Sequence, residues 1–177
     1  MKKIIVAICL VLVMCTCGCG KMTAKKAVID YLDNYRNYSD DVKSNVEKVM
    51  EDLSLTDSQR ETYQKIFKNQ YQNMTYKVLD EKYDGDNCDV LVRITVYDLY
   101  TSQMDAEKYL KDYPDNFVVN GIKDTVKFMD YKLEQMQNQN DTVDYEITFK
   151  VKKEKHKWVV VQPSSEDLQK LSGTYSK

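Results

Sequence analysis

The sequence predicts an α+β fold, with helices packed on a curved antiparallel sheet built from two hairpins. Three observations lead there. Apolar residues first recur at three- and four-residue spacing; the period then drops to two around an Asp-Gly turn; and the same change of period repeats before the C-terminus. Runs of helix beside antiparallel hairpins favour α+β over a parallel sheet. Fourteen tyrosines against only five glycines and two prolines describe an ordered chain with no linker of Pro, Gly or Ser dividing it.

The first helix follows from Ala24, Ala27, Val28, Tyr31, Leu32, Tyr35 and Tyr38, with Thr23 set as its cap. Val42, Val46, Val49, Met50 and Leu53 make a second stripe after Ser39. Thr56-Asp57-Ser58-Gln59 is a capping box opening a third helix, whose stripe holds Tyr63, Ile66, Phe67, Gln70 and Tyr71. These aromatic stripes read as core rather than as binding boxes.

Tyr76 and Val78 then lead to Tyr83-Asp84-Gly85-Asp86, a hairpin signal. On the return strand Cys88, Val90, Val92, Ile94 and Val96 share one face; Leu91, Arg93, Thr95 and Tyr97 share the other. Helices resume over Met104 to Tyr113 and again from Ile122, where Val126, Met129, Leu133 and Met136 form a stripe, with Pro114 to Gly121 between them as a mobile loop. A second hairpin alternates Val143, Tyr145, Ile147, Phe149 and Val151, turns over Lys153 to Lys157 and returns through Trp158 to Val161. Pro163-Ser164 introduces a short last helix holding Leu168 and Leu171.

Ahead of this domain, Lys2 and Lys3 precede eleven uncharged residues, Ile4 to Met14. That run is the apolar core of a secretory signal peptide and falls short of the ~20 residues of a membrane-spanning helix. Cys15, Cys17 and Cys19 follow among small residues. A zinc or iron–sulfur site draws cysteines from separate segments, usually as C-x-x-C pairs, and this cluster has neither feature. The stretch resembles the lipobox of bacterial lipoproteins, in which an apolar residue and two small ones precede the cysteine that is lipidated and becomes the new N-terminus. The resemblance implies lipidation at Cys19, with Gly18 before it; Cys17 is the alternative, and Thr16 and Cys17 depart from the usual residues. The implied division is signal peptide 1–18, lipidated N-terminus and tether 19–22, and one α+β domain 23–177. The address is the extracytoplasmic face of the cell membrane, held by a lipid anchor whose paired acyl chains bind stably. Processing at Cys19 leaves Cys88 as the one free thiol, a buried and inert residue.

Over the domain, the phrases from Ala27 to Tyr35, Thr95-Val96-Tyr97-Asp98, Asp130-Tyr131-Lys132-Leu133 and Lys157-Trp158-Val159-Val160 resemble a family of uncharacterised lipoproteins of Gram-positive bacteria. The resemblance implies a nuclear-transport-factor-2-like, or cystatin-like, cone. It implies no activity.

The residues point to no catalytic constellation. The single histidine, His156, falls among lysines in a hairpin turn, whereas a general base needs a cleft and a positioned partner. There is no H-E-x-x-H, Gly-rich phosphate loop or EF-hand pattern, and no metal or cofactor is expected. Without Lys2 and Lys3 the net charge is about −4 with signs interspersed, which excludes a nucleic-acid footprint. One possible pocket group remains. If the strand runs on regularly, Asp98 faces the core beside Tyr97 and Tyr100, where burial would raise its pKa; if the strand ends there, Asp98 caps nearby backbone. Three functions follow: a non-enzymatic module meeting a protein partner, a carrier or sensor of a small apolar ligand in a pocket lined by tyrosine and methionine, and an enzyme centred on Asp98. The composition favours the first. A packed interior would support it, and an open pocket of a few hundred Å³ the second.

Overall fold

Each of the six helices among the described residues begins where a short polar side chain accepts a free backbone amide. The computed structural model describes residues 23–176. Thr23 caps α1 (Ala24–Arg36), Ser39 caps α2 (Asp40–Glu51) and Thr56 closes a full capping box on α3 (Asp57–Asn73). Asp98, Asp124 and Ser164 cap α4 (Leu99–Asp112), α5 (Thr125–Gln137) and α6 (Ser165–Leu171). Such caps satisfy amides that have no partner within the helix and contribute about 1 kcal/mol each.

The sheet has four antiparallel strands, β1 (Thr75–Asp84), β2 (Asn87–Tyr97), β5 (Thr142–Glu154) and β6 (Lys157–Val160), in that spatial order. Two consecutive hairpins lie side by side, joined through the long β2–β5 pairing, in which Val90 faces Phe149, Val92 faces Ile147 and Ile94 faces Tyr145. These six side chains are buried, and α1 covers them with Val28 and Leu32. The other face is polar: Arg93 meets Glu146 at 2.7 Å and Thr95 meets Asp144 at 2.7 Å. The expected α+β architecture, its two hairpins and the inward row from Cys88 to Val96 are therefore present. The first turn sits one residue later than the Asp-Gly signal suggests, with Gly85 and Asp86 between the paired Asp84 and Asn87 and Gly85 at a φ of +57°. A bulge between Val78 and Asp80 shifts the β1 register.

The segment between the fourth and fifth helices corrects the sequence reading. A 3₁₀ turn, Pro114–Phe117, runs into a miniature hairpin of β3 (Val118–Val119) and β4 (Ile122–Lys123) where a mobile loop was expected. Asn120 and Gly121 form its turn at φ +53° and +78°, values that suit an Asn-Gly pair. Phe117 anchors it, buried among Tyr109, Phe128 and Tyr131. Helix α5 thus starts at Thr125, after Ile122, and α4 reaches back to Leu99, before Met104.

Two buried amides tie the layers. Gln70 of α3 receives the Tyr97 amide at 3.1 Å and donates to the carbonyls of Tyr97 and Ser172. Gln59 donates to Val126 O and to Asp130, joining α3 to α5. Gly173 completes this seam as the left-handed residue that ends α6, and a Cβ on it would lie 2.1 Å from Tyr97 O and 2.2 Å from Gln70 Nε2.

Candidate functional site

Helical spacing brings three stripes to one cavity. Val42, Val46 and Val49 lie along one face of α2, Tyr63, Phe67 and Tyr71 along α3, and Met129, Leu133 and Met136 along α5. Tyr35 from α1 and Leu168 from α6 complete the inner wall. The cavity holds about 370 Å³. Most of its inner residues are buried, Tyr63 and Met129 only partly, while half-exposed Asn45, Gln103, Lys132, Gln169 and Thr174 line its outer part. An apolar interior with a few polar groups at an open mouth is the usual make-up of a small-molecule site.

Tyrosine hydroxyls are the main polar groups of the inner wall. Tyr31 and Tyr35 share a hydrogen bond of 3.2 Å. The hydroxyls of Tyr63 and Tyr71 have no hydrogen-bond partner among the described residues. Neighbouring Tyr38 holds a buried hydroxyl that is likewise unpartnered, and the charge of its phenolate would be felt at Tyr71. Burial disfavours the charged form, so it raises the pKa of Tyr35, Tyr63 and Tyr71 and pushes Tyr31 up to about 12. All four stay protonated across the neutral range. Lys132, the one cation on the wall, is held by Glu107 at 3.0 Å.

The residues singled out by sequence are not brought together. Asp98 does not face the core. The strand ends at Tyr97, and the Asp98 carboxylate turns outward to accept from the Thr101 amide at 3.0 Å and the Thr101 hydroxyl at 2.8 Å. The first amides of α4 have no acceptor within the helix, and Asp98 satisfies that of Thr101. Asp98 lines neither the main cavity nor the smaller one of about 250 Å³, where Tyr97 is found. Tyr100 does line the main cavity, and its amide donates to Gly173 O at 2.8 Å. His156 sits exposed in the β5–β6 turn at φ +70°. Cys88 is buried on the core face, and burial raises its thiol pKa. Cys19, Cys17 and the signal peptide lie outside the described residues.

Sequence reasoning placed Tyr35, Tyr63, Phe67 and Tyr71 in the core and offered a pocket lined by tyrosine and methionine only as an alternative, without assigning these residues to it. Their residue type was the available signal, since tyrosine at buried stripe positions carries hydroxyls that a packed core has to satisfy. Among the described residues there is no cluster of metal-binding side chains, and no helix is long and apolar enough to cross a membrane. Compared with known proteins, the chain matches no family model, no curated protein and no solved structure.

Proposed function

We propose that this chain is a lipid-anchored lipoprotein of the extracytoplasmic membrane face whose domain, a cystatin-like or nuclear-transport-factor-2-like cone, carries or senses a small apolar ligand. One observation carries the reading: an open cavity of about 370 Å³ between α2, α3 and α5. A dry cavity of ~150 Å³ holds benzene, so this volume suits a ligand of roughly two fused or linked rings. A non-enzymatic protein-docking module was favoured by composition, but such a module has no use for an open interior space. The cone reading rests on helices gathered over one face of an antiparallel sheet. The anchor reading rests on Cys19 and its neighbours.

The two features fit one another. Tyr35 lies twelve residues along the chain from Thr23, about 18 Å at the helical rise. A tether of Gly20 to Met22 would hold the start of α1 near the headgroups and the cavity away from them. The ligand would then arrive from outside the bilayer.

Fluorescence titration with 2-ethylnaphthalene tests the cavity. The unaltered protein binds it, and Val46→Trp, which fills the space, abolishes binding while the fold is kept; binding undiminished in that variant would sink the reading. The anchor is tested separately. Cys19→Ser abolishes membrane retention and globomycin-sensitive processing, whereas retention unchanged would move the anchor to Cys17 or away from this cluster.

A further inference from the structure

We infer that the cavity selects neutral amphiphiles that present an oxygen acceptor, such as a ketone, ester or lactone, to the hydroxyls of Tyr63 and Tyr71. This deepens the ligand-binding reading and rests on it.

Several polar groups of the wall are already engaged. Tyr35 shares its hydroxyl with Tyr31 at 3.2 Å, and the Ser172 hydroxyl lies 3.0 Å from Gln169 O and 2.8 Å from the Thr174 hydroxyl. Lys132 is held by Glu107. On the inner wall Tyr63 and Tyr71 remain, two hydroxyls with no protein partner, while half-exposed Tyr100 and Gln103 offer further donors nearer the mouth. Both hydroxyls keep access to the cavity, so an occupant that displaces water there without offering an acceptor leaves them unmatched at a cost of about 1–3 kcal/mol, and one that meets them binds preferentially.

Spacing turns the pair into a reading head. Tyr63, Phe67 and Tyr71 stand one turn apart on α3, with ring centroids 4.6 Å apart for the first pair and 6.1 Å for the second. Phe67 offers an apolar surface to the body of a ligand, and the hydroxyls flank it. A phenol donates better than it accepts, because its ring delocalises the oxygen lone pair. With the phenols held protonated by burial, the complementary group on the ligand is an acceptor. A carboxylate fits less well. Burying an ion needs a free counter-charge, and the single cation on the wall is already paired.

The matched pair 2-acetylnaphthalene and 2-ethylnaphthalene differ mainly by a carbonyl oxygen. A cavity without donors prefers the hydrocarbon, since the ketone sheds its hydration unrewarded. The unaltered protein binds the ketone at least as tightly as the hydrocarbon. In Tyr63→Phe/Tyr71→Phe the ketone weakens by about tenfold or more, while the hydrocarbon holds within about twofold. Tyr76→Phe, whose hydroxyl bonds Asp33 at 2.7 Å and lies off the cavity, changes neither. Should the double variant lose both probes, the single variants decide, each expected to weaken the ketone and spare the hydrocarbon. An affinity ratio unmoved by loss of the hydroxyls would overturn the selectivity and leave the cavity reading standing. Failure of both probes to bind the unaltered protein would overturn both readings.

Discussion

Between β2, β5 and α1 the interior is closed and mainly aliphatic, with Phe149 and Tyr145 set among branched side chains; between α2, α3 and α5 it is tyrosine-rich and open. Val28, Leu32, Val90, Val92, Ile94 and Ile147 are at most 1% exposed, and around them only side chains meet. At the helical end the walls are as regular in sequence, but their stripes enclose about 370 Å³. Branched aliphatic side chains interdigitate to native density and carry no polar atoms to place. Tyrosine covers comparable area, yet its hydroxyl must find a partner, which holds walls apart when partners are few. One half of the domain is thus closed and the other keeps an open space, with Gln70 and Gly173 as the seam between them.

Alkali should separate the halves most strongly. Tyr31, Tyr35, Tyr63 and Tyr71 have folded pKa values above the ordinary 10.0 of a free tyrosine. A group raised on folding contributes stability that is complete below its unfolded pKa and lost as pH climbs through the folded one. Denaturation midpoints should hold steady to about pH 9.5 and fall steeply above about pH 10, with phenolate absorbance of these rings appearing only on unfolding. Ionisation of all fourteen tyrosines with an ordinary midpoint at about pH 10 in a protein still folded would show that the helical end is open to water throughout.

The seam comes next. Gly173→Ala forces a Cβ onto Tyr97 O and Gln70 Nε2 at a left-handed φ of +69°, and should lower unfolding free energy by about 4 kcal/mol or more, measured by urea melts. A pair of truncations then compares the two interiors directly. Ile94→Ala in the closed core should lose about 3 kcal/mol, whereas Val46→Ala on the cavity wall should lose under ~1 kcal/mol, because it enlarges a space that is already there. Equal losses would erase the distinction. The smallest effect belongs to Asp98. Removing its cap in Asp98→Ala should cost about 1 kcal/mol, while Asp98→Asn keeps the cap, retains stability within about 0.5 kcal/mol and leaves naphthalene binding unchanged.

How much of this was legible follows from what periodicity can encode. The inward rows of β2 and β5, the Thr56 capping box and the Ser164 start of α6 were readable because each is a local pattern with a local cause. The miniature hairpin was not, since strands of two residues have no period to detect; Asn120-Gly121 was its only signal. Asp98 was misplaced because parity says which way a residue would point, but not where the strand stops. Thr101, three residues on, was the sign of a cap. A pocket lined by tyrosine and methionine could be imagined from the sequence but not placed, for a different reason. Val42, Val46 and Val49 repeat as a packed stripe would, and the distance between helices is set by every side chain between them.

The central claim is that the helical end receives a ligand and the sheet-side core does not. Amide and methyl chemical-shift mapping of the full chain, titrated with 2-acetylnaphthalene, addresses it most directly. Saturable shifts are expected at Val46, Phe67, Met129 and Leu133, with Val90, Val92 and Ile147 unmoved. Shifts confined to the exposed apolar residues Val119, Ile122 and Val126, or no saturable shifts at all, would contradict it.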